Sequence, residues 1–247
     1  MTEFDKYRKR GAYHWAEIEG ALSEINPYTL GRYELALSCL RSAGVGSAQT
    51  VVDIGAGDGA LTGLLRRRLG CTVIGIEPDP LAVELARGQF EARGLVGTFV
   101  AGSASALPMA DSSADAAVSA DVIEHVQDAP ALLAEARRIL KPGGVLVVTT
   151  PIRVTERPQD RLHVQEWFED EFKSLCASVF GPPVASHRTH PAALVELYRG
   201  LPGRLGALYR RWFNHRARAG KNPFLRGLDR WSLMTTQALV LRKSAGT

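Results

Sequence analysis

The sequence predicts an α/β protein, a doubly wound and mostly parallel sheet with helices on both faces, and three observations carry that prediction. Val51-Val52-Asp53-Ile54 runs directly into Gly55-Ala56-Gly57-Asp58-Gly59, and helical spacing follows at Leu61, Leu64, Leu65 and Leu69. That order is buried strand, tight turn and helix, the opening of a βαβ unit. A second apolar run, Cys71–Ile76, ends in Glu77, which lies 22 residues after Gly55. An acidic side chain at that strand end, about 20 residues beyond a glycine loop, is placed to accept two hydrogen bonds from a ribose diol. Strand-like and helix-like segments then keep alternating, which implies ligands bound at the carboxyl ends of the strands.

Taken in order, residues 1–43 read as helical. Apolar spacing recurs at Glu17–Leu22 and at Tyr33–Leu40, with a break at Asn26-Pro27. Tyr13-His14-Trp15 is a dense aromatic patch suited either to face a cation through its rings or to anchor a lid on the core. The core is expected as strand 50–55, helix 60–69, strand 71–77, helix 80–93, strand 98–102, strand 115–120, helix 129–140 and strand 144–150. Asp128 can cap the last of those helices, with Pro130 in its first turn, and Pro142-Gly143-Gly144 is expected to close it. A helix at 166–178, a strand near 184–189 and a final strand at 236–241 complete the list.

Composition bounds the rest. The chain has 247 residues, 45% of them apolar, enough for one well-cored domain and short for two. Cys39, Cys71 and Cys176 are scattered, so they read as core residues in a reducing cytoplasm and not as bridges or zinc ligands. The first residues lack the apolar core of a signal peptide, and no apolar run approaches the ~20 residues of a membrane span. The net charge of +4 is uneven, because residues 191–231 carry nine basic and two acidic side chains, leaving the remainder net acidic. Forty structureless residues would be unusual in a compact domain, so helices are expected there. Leu205, Leu208, Tyr209, Trp212 and Phe213 form an apolar stripe at helical spacing with Arg204, Arg210, Arg211 and Arg216 around it. The stripe reads as a lid helix with solvated arginines, as a site for an anionic substrate, or as a contact for an anionic membrane carrying a lipid-linked acceptor. Nucleic acid is not expected, since no reader module accompanies the arginines.

Asp53, two places before the first glycine and inside an apolar strand, is useless to a pyrophosphate but suits an ammonium or sulfonium ligand. With it the chain resembles the class I S-adenosylmethionine-dependent methyltransferases, whose first motif is an acidic residue, any residue, then Gly-x-Gly-x-Gly. The likeness continues through Ala106-Leu107-Pro108, Ser113-Ala114-Asp115, Asp121-Val122-Ile123-Glu124-His125-Val126 and Arg138-Ile139-Leu140-Lys141-Pro142-Gly143-Gly144, and spans roughly residues 45–180. It points to the small-molecule branch, similar to bacterial glycan, sugar and natural-product O-methyltransferases. The resemblance implies a Rossmann-like fold whose final strand is antiparallel. It divides one domain, 1–247, into an N-terminal helical lid (1–43), a cofactor-binding core (44–190), a basic helical insertion acting as substrate lid (191–231) and the final strand (232–247).

The cofactor implied is S-adenosylmethionine, leaving as S-adenosylhomocysteine. Asp53, Gly55, Ala56 and Gly57 are expected at its aminoacyl end, Glu77 and Pro78 at the ribose, Ser103 and Ala104 at the adenine, and Asp121 and Val122 at the mouth of the fourth strand. Many relatives carry Asp or Glu where this chain has Ser103. An oxygen acceptor must lose a proton, and His125 and His163 are the candidate bases. Tyr13, His14, Glu124, Arg153, Arg210 and Arg211 are the candidate substrate contacts. No metal site is expected; Asp121, Glu124 and Asp160 could gather Mg2+, but their spacing matches no loop motif. The expected activity is methyl transfer to a hydroxyl of a sugar, glycan or glycosylated metabolite in the cytoplasm, by a monomer or homodimer. Competing readings are a quinone or aromatic methyltransferase, an NAD(P)-dependent oxidoreductase, for which no Tyr-x-x-x-Lys pattern is found, and a cofactor-binding partner without catalysis.

Overall fold

The structure is a computed structural model that describes residues 6–154, 160, 162–225 and 233–245. Its centre is a seven-stranded sheet in the order β3-β2-β1-β4-β5-β7-β6. The strands are β1 (Thr50–Ile54), β2 (Thr72–Glu77), β3 (Thr98–Ala101), β4 (Ala114–Ala120), β5 (Leu140–Pro151), β6 (Ala185–Pro191) and β7 (Met234–Arg242). β1 to β5 pair in parallel, whereas β7 runs antiparallel between β5 and β6. The order reverses direction between β1 and β4, the switch point beside which open α/β sheets bind ligands.

Alternate residues of each strand face opposite layers. Val51, Val73, Val118, Val147 and Val240 pack towards α2 (Tyr13–Glu19), α3 (Pro27–Ser42), α4 (Ala60–Leu69) and α5 (Pro80–Ala92). Val52, Ile54, Leu146, Val148 and Leu239 pack towards α6 (Ala129–Ile139) and α7 (Glu169–Phe180). Both layers are formed by near-continuous apolar strands, as a sheet covered on two sides requires. Local chemistry sets the helix starts. The side chains of Asn26, Asp79 and Asp128 accept hydrogen bonds from the first turns of α3, α5 and α6, each of which carries Pro near its start. Cys39, Cys71 and Cys176 are free and buried.

Several expectations are corrected. Lys141-Pro142-Gly143-Gly144 does not end a helix: α6 stops at Ile139 and β5 already begins at Leu140, which pairs with Ala114 across an irregular register. β4 pairs with Leu140 and Val145 but not with Lys141–Gly144, so the Pro and Gly residues make an irregularity within the strand and not a helix end. The helix expected at 166–178 starts at Glu169, leaving Glu166 in a loop. The Glu17–Leu22 segment is helical only to Glu19, and a short helix α1 (Lys6–Arg10) precedes α2.

The 191–231 insertion forms α8 (Ala192–Gly200), α9 (Gly203–Arg218) and a 3₁₀ turn at Pro223–Leu225. Its residues 226–231 lie outside the described residues, as do Met1–Asp5 and Arg161. The apolar stripe of α9 is split. Phe213 is buried against Phe224 and Val195, while Leu205, Leu208 and Trp212 are 77%, 67% and 52% exposed. Helical periodicity alone had grouped residues that face two different environments.

Candidate active site

Two half-sites meet at the carboxyl end of the sheet. The first is the glycine loop between β1 and α4. Gly55, Gly57 and Gly59 all have positive φ, at 77°, 54° and 80°, a conformation that costs a residue with a Cβ. Space forbids one as well: a Cβ on Gly55 would overlap the Val122 side chain, and one on Gly57 the Tyr7 hydroxyl. Glu77, at the end of β2, accepts from the Gly57 N–H at 3.0 Å and from the Asp79 N–H at 3.2 Å. Burial pushes its carboxyl pKa upward, partly countered by those two donors.

Asp53 is almost fully buried and receives the Thr62 hydroxyl at 2.6 Å. Desolvation raises its pKa to about 7, a condition that a cationic ligand nearby would reverse. Ser103 is exposed, with its hydroxyl accepting from the Ser105 N–H at 3.2 Å, and Ala104 is buried behind it.

The N-terminal helices are fastened onto this loop. The Asp58 carboxylate accepts from the His14 N–H at 2.8 Å, and the Asp58 carbonyl accepts from the Trp15 indole at 2.7 Å. Trp15 is buried over Gly63 and Phe90. Within the aromatic patch, Trp15 and His14 therefore anchor the lid, whereas Tyr13 lies against His14 and under the Arg10 guanidinium.

The second half-site is assembled from distant segments. Asp121 ends β4 with φ 54°, an uncommon conformation for a residue with a side chain. It is held by the Thr149 hydroxyl at 3.0 Å and by an ion pair with Arg32 of α3. Residues Ile123–His125 form a 3₁₀ turn, onto which the 162–167 segment is clamped. The Glu124 carbonyl accepts from the Val164 N–H at 2.8 Å, and the Gln165 amide donates to the Val126 carbonyl at 3.1 Å.

Inside that clamp the His125 and His163 rings meet edge to face with centroids 5.0 Å apart. The Leu162 carbonyl lies 3.1 Å from His125 Nδ1, and because a carbonyl only accepts, that nitrogen carries the proton and the lone pair resides on Nε2. Burial lowers the His125 pKa below the ordinary imidazole value, so the ring is neutral at pH 7. His163 Nδ1 is 2.5 Å from the Glu166 carboxylate. Glu124 is fully buried, with one oxygen accepting from the Thr150 hydroxyl at 3.1 Å, and burial together with Asp121 raises its pKa well above the usual carboxylate range.

The structure thus brings His125, His163 and Glu124 together beside Asp121 and Val122, and sets Asp53, Gly55, Ala56, Gly57 and Glu77 around one loop. The remaining candidates make other contacts. The Arg153 guanidinium lies over the Phe168 ring, Arg210 donates to the Leu201 carbonyl at 3.0 Å, and Arg211 is exposed on α9. Sequence reasoning passed over Tyr7, Arg32, Asp58 and Glu166. Only Asp58, inside Gly57-Asp58-Gly59, carried a local signal.

Residues 52–148 match the protein family described as a methyltransferase domain. An uncharacterized methyltransferase of Mycobacterium sp. is 39% identical over 101 residues, 41% of this chain and 38% of that protein. One of Mycolicibacterium vanbaalenii is 38% identical over 100 residues, again 38% of its length. The matched stretch therefore spans well under half of these curated relatives. Among solved structures, geranyl diphosphate methyltransferase in complex with S-adenosylmethionine superposes with a TM-score of 0.67 at 18% identity, covering 90% of this chain and 88% of that one. The [4+2]-cyclase SpnF superposes at 0.63 with 18% identity, covering 87% and 81%. At such identities the likeness is one of fold, and the second neighbour's name is not that of a methyltransferase.

Proposed function

Residues 52–148 match a methyltransferase domain, and we propose that the whole chain is a class I enzyme that transfers the methyl group of S-adenosylmethionine to a small polar acceptor, most simply a hydroxyl of a sugar, glycan or glycosylated metabolite. The observation that carries the reading is the pairing of the two half-sites, a glycine loop closed by Glu77 and a neutral His125 held beside the end of β4. The cofactor supplies a methyl already attached to a good leaving group, a sulfonium. The protein's task is alignment and exclusion of water, and alignment alone is worth roughly 7–11 kcal/mol in favourable cases.

The residues divide that task. The Glu77 carboxylate orients the ribose diol. The buried Asp53 and the Gly55–Gly57 backbone, whose N–H groups are held by the Ile76 carbonyl and Glu77, bracket the aminoacyl end. Tyr7, lying on Gly57, shields the loop from solvent. The His125–His163 pair handles the acceptor's proton, with Glu124 and Asp121 lining the approach. Calorimetry with S-adenosylmethionine, S-adenosylhomocysteine and NAD tests the cofactor assignment, and binding of NAD alone would overturn it. Mass spectrometry of extracts incubated with isotopically labelled cofactor would identify the acceptor; a product methylated on nitrogen or carbon would refute the hydroxyl assignment.

One observation favours an acceptor presented at an anionic lipid surface. Leu205, Leu208 and Trp212 form an exposed apolar ridge on α9, and Arg204 and Arg211 of the same helix are exposed as well. An apolar stripe edged by arginines suits the boundary between headgroups and acyl chains. No described helix is long and apolar enough to cross a membrane, so contact would be peripheral. Wild-type protein should float with vesicles containing anionic lipid, and the Leu208→Ser/Trp212→Ser variant should stay behind. Wild type that ignores the vesicles refutes this reading.

A further inference from the structure

We propose that Glu124, His125 and His163 form a binding site for a divalent first-row transition-metal ion of the zinc, iron or manganese kind. One donor atom from each residue lies within 4.8 Å of the other two. Two imidazoles and one carboxylate are the donor set that such ions favour, and three protein ligands leave positions open for a substrate oxygen.

Two further observations separate this cluster from a chance gathering of polar groups. The first is its outer shell. The Leu162 carbonyl and the Glu166 carboxylate each engage the Nδ1 of one histidine, at 3.1 Å and 2.5 Å. Both contacts fix the tautomer with its lone pair on Nε2, the arrangement by which proteins orient metal-bound imidazoles and raise their basicity. The second is Glu124 itself. It is wholly buried, Thr150 satisfies one carboxylate oxygen, and the other has no hydrogen-bond partner among the described residues. A buried carboxylate oxygen left so is costly, and a cation is one of the few things that relieves it.

The surrounding charge agrees. Among the described residues, Glu124, Glu166, Asp121 and Asp160 provide carboxylates against Lys6 and Arg32, and Arg32 is already paired with Asp121. The clamp of Val164, Gln165 and Leu162 onto the 123–126 turn holds the ligands in place before any ion arrives. The three free cysteines are buried elsewhere and do not compete.

The site deepens the proposed function, and its role in turnover rests on that reading. With the ion bound, His125 and His163 serve as its ligands and not as the base, and an acceptor hydroxyl drawn to the ion becomes more acidic. Its O–H proton passes to solvent water as the methyl moves from sulfur to that oxygen, and the sulfur keeps the electron pair of the broken C–S bond.

The full chain, stripped with chelator and dialysed, is titrated with Co2+ while its visible d–d absorption is recorded, and with Zn2+ by calorimetry. One equivalent should bind, with nitrogen and oxygen ligation and without the thiolate charge-transfer band that cysteine would add. His163→Ala, which alters a loop, should weaken binding by about 100-fold or more, and Glu166→Gln by about 10–100-fold through the outer shell. Circular dichroism confirms that each variant folds. Absence of d–d bands, or bands unchanged in both variants, overturns the proposal. Calorimetry with S-adenosylmethionine on the same metal-free protein reads the other assignment separately, because metal binding without cofactor binding would sink only the methyltransferase activity.

Discussion

The cofactor side and the acceptor side of this site lie next to each other and are built by opposite means. The cofactor side is mostly backbone from one stretch, three glycines in left-handed conformation at the end of β1, with a carboxylate from the next strand bonded to the loop. The acceptor side is mostly side chains from four places in the sequence: Arg32 of α3, Asp121–His125 after β4, Thr149 and Thr150 of β5, and the 160–167 segment. A site made from a local turn tolerates little change but depends on few partners. A site gathered by the fold depends on everything that holds its parts in register, and so the two sides should fail differently.

The sharpest way to break the local side is Gly57→Val. The substitution puts a β-branched residue at φ 54° and drives its Cβ into Tyr7. Strain and displacement of the lid together are expected to cost about 4 kcal/mol, near 1000-fold in cofactor affinity by calorimetry. Binding within a few-fold of wild type would show that the loop is not the cofactor cradle. Next comes His125→Ala on the assembled side, which should lower kcat by about 100- to 10,000-fold while cofactor affinity is kept. Because burial lowers the His125 pKa, the rate of the metal-free wild type should rise with pH to a plateau, with its midpoint below 6.5, the ordinary imidazole value. A midpoint above that value would remove His125 from the proton's path. Glu77→Ala is milder, since hydrogen bonds to a charged group are worth about 1.5–3 kcal/mol, and should weaken cofactor binding by roughly 10–100-fold with kcat little changed at saturation.

The same contrast explains what could be read in advance. The glycine loop, Glu77 and the strand–helix alternation are contiguous signals, and β1, α4, β2 and α5 fall within a residue of their expected bounds. His125 and His163 could be nominated from type and position, but not their contact, which depends on the chain returning after β5 to clamp on Glu124. Glu166 falls at the start of the helix expected at 166–178, and only the fold shows it turned to His163. Tyr7 and Arg32 had no local mark; their meaning arises from helices packed across the end of the sheet. Pro142-Gly143-Gly144 carry the composition of a helix end, but they form an irregularity inside β5, between the paired residues Leu140 and Val145, which only the neighbouring strand reveals.

The smallest effect tests whether the assembled side also loosens first. His190 ends β6 beneath α3, wholly buried, with Nε2 3.0 Å from the Tyr28 carbonyl and the Thr189 hydroxyl 2.7 Å from Nδ1. Desolvation lowers its pKa from 6.5 to about 3. The unfolded chain therefore binds a proton that the folded chain refuses, and stability is lost as pH falls below 6.5 towards 3. By pH 5 the loss should be on the order of 2 kcal/mol. Asp53, raised to about 7 by burial, works in the opposite sense, because its contribution is greatest at low pH and declines as pH rises towards 7. Total stability thus mixes the two, and the informative quantity is a difference. His190→Asn removes the titration and suits the left-handed backbone at that position, φ 60°. Between pH 7 and pH 5 the wild type should lose more stability than the variant, and amides of α3 should exchange faster in the wild type while those of β1 and α4 stay protected. Parallel denaturation curves at the two pH values would show that the packing under α3 does not register protons. α3 carries Arg32 to Asp121, so proton uptake at His190 would disturb the acceptor side and leave the glycine loop intact, which is the asymmetry that the two constructions predict.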